Sequence, residues 1–186
     1  MLINTKRLRI RNIDVRDADD LYEIRNTEFI LKYNCMEKVS LPQLEHNIMD
    51  FPNDSFSIVL KENNKVIGTI AFEEDNLRYQ VKSVCLSYYL GEAYTHKGYM
   101  SEAMIGMMNY LFNILNQDVI GLRIFKENHD SILLAKRLGF VYEGCLRHAV
   151  KAYQDVIYDD CLFSLTKEEF NHHYPKDKLI EYHYFK

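Results

Sequence analysis

Between Val81 and Leu115 the chain changes character twice within a few residues. Val81 to Leu90 is dense in β formers, Gly91 to Gly98 is a short loop, and Ser101 to Leu115 carries Met104, Met108, Leu111 and Leu115 on one helical stripe. A strand that passes through a tight loop straight into a helix aims several backbone N–H groups at one spot, at the positive end of a helix dipole. Gly98 has no Cβ to keep an anion from the main chain, Lys97 adds charge and Ser101 a hydroxyl. A pyrophosphate is one natural occupant, and an ordinary strand–helix turn is the other reading. The segment is neither a Walker loop nor GxGxxG.

The rest of the chain alternates in the same manner. Leu8, Ile10 and Ile13 interleave with Arg7, Arg9 and Arg11 as a strand, and Asp17 to Asn26 has helical spacing with acidic residues in its first turn. Ser40 and Pro42 open a second helix that ends before Pro52. Phe56–Leu60 and Val66–Phe72 form a hairpin across the polar turn Lys61–Lys65. Val119 to Phe125 is a strand, Asp130 to Leu138 a helix closed by Gly139, and Phe140–Lys151 and Val156–Leu165 a last hairpin. A short helix begins at Thr166, and past Pro175 the tail continues through Leu179 to Phe185. The order β-α-α-β-β-β-α-β-α-β-β implies an α/β fold with a mixed, mostly antiparallel sheet flanked by helices. Residues 1–170 are expected to form one domain, with 171–186 as a tail packed on it or on a partner.

At 186 residues one domain is the natural fit. A formal charge of −4 gives no general basic field for nucleic acid. Cys35, Cys85, Cys145 and Cys161 form no CxxC pair, and Cys85 and Cys161 lie in strand-like runs as core thiols, so neither a metal nor a disulfide framework is expected. No stretch approaches the roughly 18 apolar residues of a membrane span, and the expectation is a cytoplasmic protein that engages no membrane.

Two motifs in order carry a family resemblance. Thr95-His96-Lys97-Gly98-Tyr99-Met100 resembles the Gln/Arg-x-x-Gly-x-Gly/Ala loop of the GNAT acetyltransferases, and Lys97 to Ala103 resembles the RimJ/RimL branch. Asn128-His129-Asp130-Ser131 followed by Leu138-Gly139-Phe140 resembles the Asn-x-x-Ser…Leu-Gly-Phe segment, with Glu143-Gly144 after it, and Thr5 to Arg11 is similar to the opening strand. The resemblance implies acetyl-CoA as co-substrate and no metal. It places the backbone of Tyr89 and Leu90 along the pantetheine arm and His96, Lys97, Gly98, Tyr99, Met100 and Ser101 around the pyrophosphate. Asn128 would bond the pantetheine or the region near the thioester, and Ser131 would lie near the sulfur as the acid. Thr95, His96 and Met100 depart from the usual loop residues, and His96 is expected to point to solvent.

Transfer to an amine needs a neutral nucleophile, a polarised carbonyl and a proton for the departing thiolate. The positions where relatives carry a base or an acid are here Cys85, Ala135 and Val150. What remains is a water chain to Glu73, Glu74, Asp75 or Glu143, or proximity alone with the oxyanion held by a backbone N–H near Leu90. A coenzyme A-binding regulatory module with little catalysis is the alternative.

The acceptor cleft implied by the family lies among the first two helices, the apolar segment Phe29–Met36 and the last hairpin, where Asp155, Asp159 and Asp160 could attract a cation. A protein N-terminus and a small-molecule amine (polyamine, aminosugar or aminoglycoside-like) compete as acceptor. The aromatic tail favours a homodimer.

Overall fold

The computed structural model describes residues 1–53, 55–175, 179 and 182–185. Within them nine strands form one sheet, in the order β7-β8-β6-β5-β4-β3-β2-β1-β9. The strands are β1 (Leu2–Asn4), β2 (Leu8–Asn12), β3 (Phe56–Leu60), β4 (Val66–Glu74), β5 (Ser83–Leu90), β6 (Val119–Phe125), β7 (Val141–Lys151), β8 (Ile157–Thr166) and β9 (His183–Phe185). The helices are α1 (Ala18–Arg25), α2 (Glu28–Leu31), α3 (Leu41–Asp50), α4 (Tyr99–Asn113), α5 (His129–Arg137) and α6 (Lys167–His173). Every pairing is antiparallel except β5 with β6. The expected single-domain α/β sheet is therefore present.

Helices cover both faces of the sheet, so its central strands lose the period-two pattern. On β3, Ile58 packs with Leu86, Met104 and Met107 on the α4–α5 face, while its neighbour Val59 packs with Leu21, Leu44 and Ile48 under α1 and α3. All five β3 residues are buried as a result. Burying such side chains is the main stabilising term of the fold.

Polar contacts fix the helices over these faces. The Arg11 guanidinium donates two bonds to Asp17 at 2.7 and 2.6 Å, and the Ser57 hydroxyl donates to the same carboxylate at 2.6 Å. One buried carboxylate thus ties the start of α1 to β2 and β3. Ser40 caps α3, with Pro42 inside its first turn, as the sequence implied.

Several boundaries differ from expectation for local reasons. β1 is three residues long, too short to show a period, and is held by pairing with both β2 and β9. Thr27 caps the extra single-turn helix α2 within the segment read as a joining loop. α4 starts at Tyr99 and stops at Asn113, so the helical stripe ends near Leu111 and Leu115 lies outside it, 39% exposed. Ile13 lies past β2 in the α1–α3 cluster. In the tail, β9 pairs with β1 and the Tyr184 hydroxyl donates to Gly106 O at 3.3 Å. Positions 176–178, 180, 181 and 186 of that tail lie outside the described residues.

Candidate functional site

The site begins where two parallel strands part. β5 and β6 pair from Ser83/Val119 to Leu86/Leu122 and no further, although both strands continue. Ser87 to Leu90 therefore keep β4 on one side and have an open edge on the other. The Gly91 amide donates to Ile67 O at 2.9 Å. Ladder alternation then turns the N–H and C=O groups of Leu90 and Tyr88 to the open edge and those of Tyr89 toward β4, so of the expected pair Leu90 faces the edge while Tyr89 is spent on β4 and Tyr88 takes its place. An extended, amide-bearing arm could pair there as one more strand.

Gly68 sets how β4 approaches this segment. A Cβ on Gly68 would stand 2.2 Å from Tyr89 O and 2.9 Å from Leu90 Cα, so only glycine fits.

Past β5 the chain makes a short 3₁₀ turn at Glu92–Tyr94 and reaches α4. His96 and Gly98 both adopt left-handed backbone angles, with φ of 57° and 79°. Gly98 is the N-cap of α4, and Glu102 N makes the first helical bond, back to Gly98 O at 3.1 Å. Among the described residues none of the six amides from His96 to Ser101 has an acceptor. This is a main-chain cradle for an anion at a 15-residue helix. The side chains of His96 and Lys97 are exposed, whereas Met100 points into the core. Lys97 Nζ turns back to Ala93 O at 2.8 Å.

The cradle is braced from the other end of the chain. Glu102 accepts the Thr5 hydroxyl at 2.6 Å, the Arg7 amide at 2.6 Å and Arg7 Nε at 2.7 Å. Arg7 Nη1 reaches Lys97 O at 3.0 Å, and its guanidinium lies 4.4 Å from the centre of the Tyr99 ring. Burial alone would raise the Glu102 carboxyl, but the bonds from Thr5 and Arg7 reverse this and hold it below its ordinary range.

Across the gap, Asn128 caps α5 by accepting the Ser131 amide at 3.3 Å. Its side-chain oxygen is thus engaged, and Ser131 sits half-buried on the first turn. The Tyr88 hydroxyl is fully buried and makes no hydrogen bond among the described residues. Ser131 lies close enough to favour the phenolate, yet burial dominates and pushes Tyr88 up to about 12. Sequence reasoning did not single out this side chain. Nothing in a β-former run reveals which hydroxyl will lack a partner.

On the opposite face, under α1 and α3, lies a cleft of about 930 Å³. Tyr33 to Met36 line it, as expected of the segment between the helices, together with Cys85, Ser87, Arg123 and Val150. Burial, with Asp75 and Glu73 nearby, pushes the Cys85 thiol up to about 11, so it is not a base at neutral pH.

The candidate carboxylates separate cleanly. Asp75 pairs with Arg78, and Glu143 accepts Arg78 at 2.8 Å and the Ser164 hydroxyl at 2.9 Å. Glu74 lies away from the cleft, while Glu73, opposite Cys85 in the ladder, is at its rim. Asp155 pairs with Lys151, and Asp159 with Lys126 and the His148 amide. Asp160 alone of that trio lines the cleft. Among the described residues no group of three or more His, Cys, Asp or Glu is placed to hold a metal ion, and no helix is long and apolar enough to cross a membrane.

Comparison with known proteins agrees with this fold. The family described as "Acetyltransferase (GNAT) domain" matches residues 7–141. An uncharacterized N-acetyltransferase, p20, of Bacillus licheniformis is 32% identical over 177 residues, covering 89% of this chain and 96% of the relative. Among solved structures, an acetyltransferase of the GNAT family from Bacillus anthracis superposes with a TM-score of 0.81 at 20% identity, covering 90% of this chain and 99% of the other. A RimL ribosomal L7/L12 α-N-protein acetyltransferase in complex with coenzyme A gives 0.77 at 17% identity, covering 89% and 98%. At those identities the likeness is one of fold.

Proposed function

Since the chain belongs to the GNAT acetyltransferase family, we propose that it transfers the acetyl group of acetyl-CoA to a primary amine held in the cleft under α1 and α3. The observation that carries this reading is the parting of β5 and β6 beside six acceptor-free amides. The open edge at Tyr88 and Leu90 suits the two amides of a pantetheine arm, and the His96–Ser101 cradle suits its pyrophosphate. No metal is needed to hold either.

The reaction then follows from position. The free amine attacks the thioester carbonyl, a C–N bond forms, the C–S bond breaks, and the thiolate takes a proton while the nitrogen loses one. Ser131 is the proposed proton donor, with the Tyr88 hydroxyl beside it. The arm needs the outward N–H of Leu90 and the outward C=O of Tyr88, which leaves the outward N–H of Tyr88, nearer the parting of the strands, as the candidate for the oxyanion. A phenol whose pKa stands near 12 stays protonated through the neutral range and can donate.

Cys85, Ala135 and Val150 leave the family's usual proton positions without a base or acid. This favours a second reading, a coenzyme A-binding module with little turnover. Exposed Val141, Tyr142 and Leu146 on the edge strand β7 support a homodimer in either case. Calorimetric titration with acetyl-CoA, followed by thiol release on an amine panel, tests both. Micromolar binding with amine-dependent thiol release supports the enzyme, and binding without release on any amine supports the module. No binding overturns both.

A further inference from the structure

Three buried side-chain polar atoms lack a hydrogen-bond partner among the described residues: Arg25 Nη1, the Tyr88 hydroxyl and Asp160 Oδ1. All three residues line the same cleft. A buried polar atom left without a partner is costly, and the cost is relieved where a ligand supplies one. Tyr88 packs toward α5 and belongs to the thioester side. Arg25 and Asp160 remain, one of each sign.

Asp160 is 1% exposed. Its Oδ2 accepts Arg123 Nε at 2.6 Å, and Oδ1 is free. Arg123 is the first β6 residue beyond the last β5–β6 pair, so the carboxylate stands beside the point where the strands part. It also lies within electrostatic reach of Cys85, the strand position that the family's base would occupy. The side chain of Arg25, in the last turn of α1, makes no ion pair or hydrogen bond among the described residues and has the Tyr89 phenol within electrostatic reach. Leu21, Tyr33, Met36, Ile48 and Phe51 supply apolar wall around these groups.

We propose that the acceptor is an amine that also carries a carboxylate on an apolar body, an amino acid or short peptide, with its ammonium at Asp160 Oδ1 and its carboxylate at Arg25. This rests on the acetyl-transfer reading above. Asp160 takes one proton from the ammonium and passes it to solvent. The freed lone pair forms the C–N bond as the C–S bond breaks. A second proton goes to the thiolate from the Ser131 side, itself replenished from the nitrogen, and the product amide keeps the third. The base missing from β5 is thus supplied from β8.

The test compares matched probes: L-phenylalanine against phenethylamine, and 6-aminohexanoate against hexylamine, each followed by thiol release with acetyl-CoA saturating. At least one carboxylate-bearing member is expected to show kcat/KM ten-fold or more above its partner. Arg25→Glu should lose that preference and favour 1,6-diaminohexane. Asp160→Asn keeps an oxygen for Arg123, and kcat/KM should drop about 100-fold, the scale of a general base. Its pH profile should then rise with the free-amine fraction. Calorimetry with acetyl-CoA, run on each variant, reports that the protein is folded.

Equal rates within both wild-type pairs, or no acetylation of any probe despite acetyl-CoA binding, overturn the proposed acceptor and leave the cofactor reading standing. Absence of acetyl-CoA binding removes the reading beneath it, and the proposal with it.

Discussion

Gly68 lies directly against the backbone of Tyr89: a Cβ at residue 68 would meet the Tyr89 carbonyl oxygen at 2.2 Å. Backbone cannot step aside as a side-chain tip can, so Gly68→Ala must shift β4 from β5. The expected cost is about 1–3 kcal/mol, the range for overpacking. Because Tyr88 and Leu90 form the open edge, acetyl-CoA affinity should also fall. A melting curve and a calorimetric titration on the same sample check both.

Gly98 makes a different demand. Its φ of 79° is left-handed, while a Cβ there would meet only Arg7 Nη2, at 3.4 Å. Gly98→Val should therefore cost only about 1–2 kcal/mol of backbone strain, while acetyl-CoA binding weakens ten-fold or more as the cradle changes shape. A large loss of melting temperature with unchanged affinity would contradict this assignment.

The brace at Glu102 predicts acid sensitivity. Its folded pKa lies below the ordinary 4.5. Its contribution is present above that value and is lost as pH falls through the folded pKa. Thermal midpoints measured from pH 6 to 3 should decline less steeply for Glu102→Gln than for the wild type. The variant should be the less stable of the two at neutral pH.

Ser131 and Tyr88 make a kinetic prediction. Ser131→Ala and Tyr88→Phe should each lower kcat by about ten-fold or more. The double variant should lose less than the product of the two if the hydroxyls act as a unit. The KM for acetyl-CoA should move little. Rates on one amine at saturating acetyl-CoA decide it.

Much of this could be read locally. The Met104, Met108 and Leu111 stripe, the Ser40 cap, the Lys61–Lys65 turn and Gly139 after α5 are signals carried by neighbouring residues, and each appears in the structure. β1 and β9 are not legible because each is three residues long, and β9 exists only through pairing with β1 across nearly the whole chain. In the sequence Asp160 is only one of three acids near the last hairpin. Its separation from Asp155 and Asp159 depends on Arg123, 37 residues away, taking one oxygen and leaving the other bare. α4 begins two residues before the stripe at Ser101 implies, because Tyr99 and Met100 have loop-like sequence, although Met100 already anchors the helix in the core.

The notch between β5 and β6 joins two opposite faces of one sheet, with α4 and α5 on one and α1 and α3 on the other. On the proposed function, cofactor and acceptor would reach that notch by separate doors. That arrangement predicts a ternary complex, so initial-rate plots should intersect rather than run parallel.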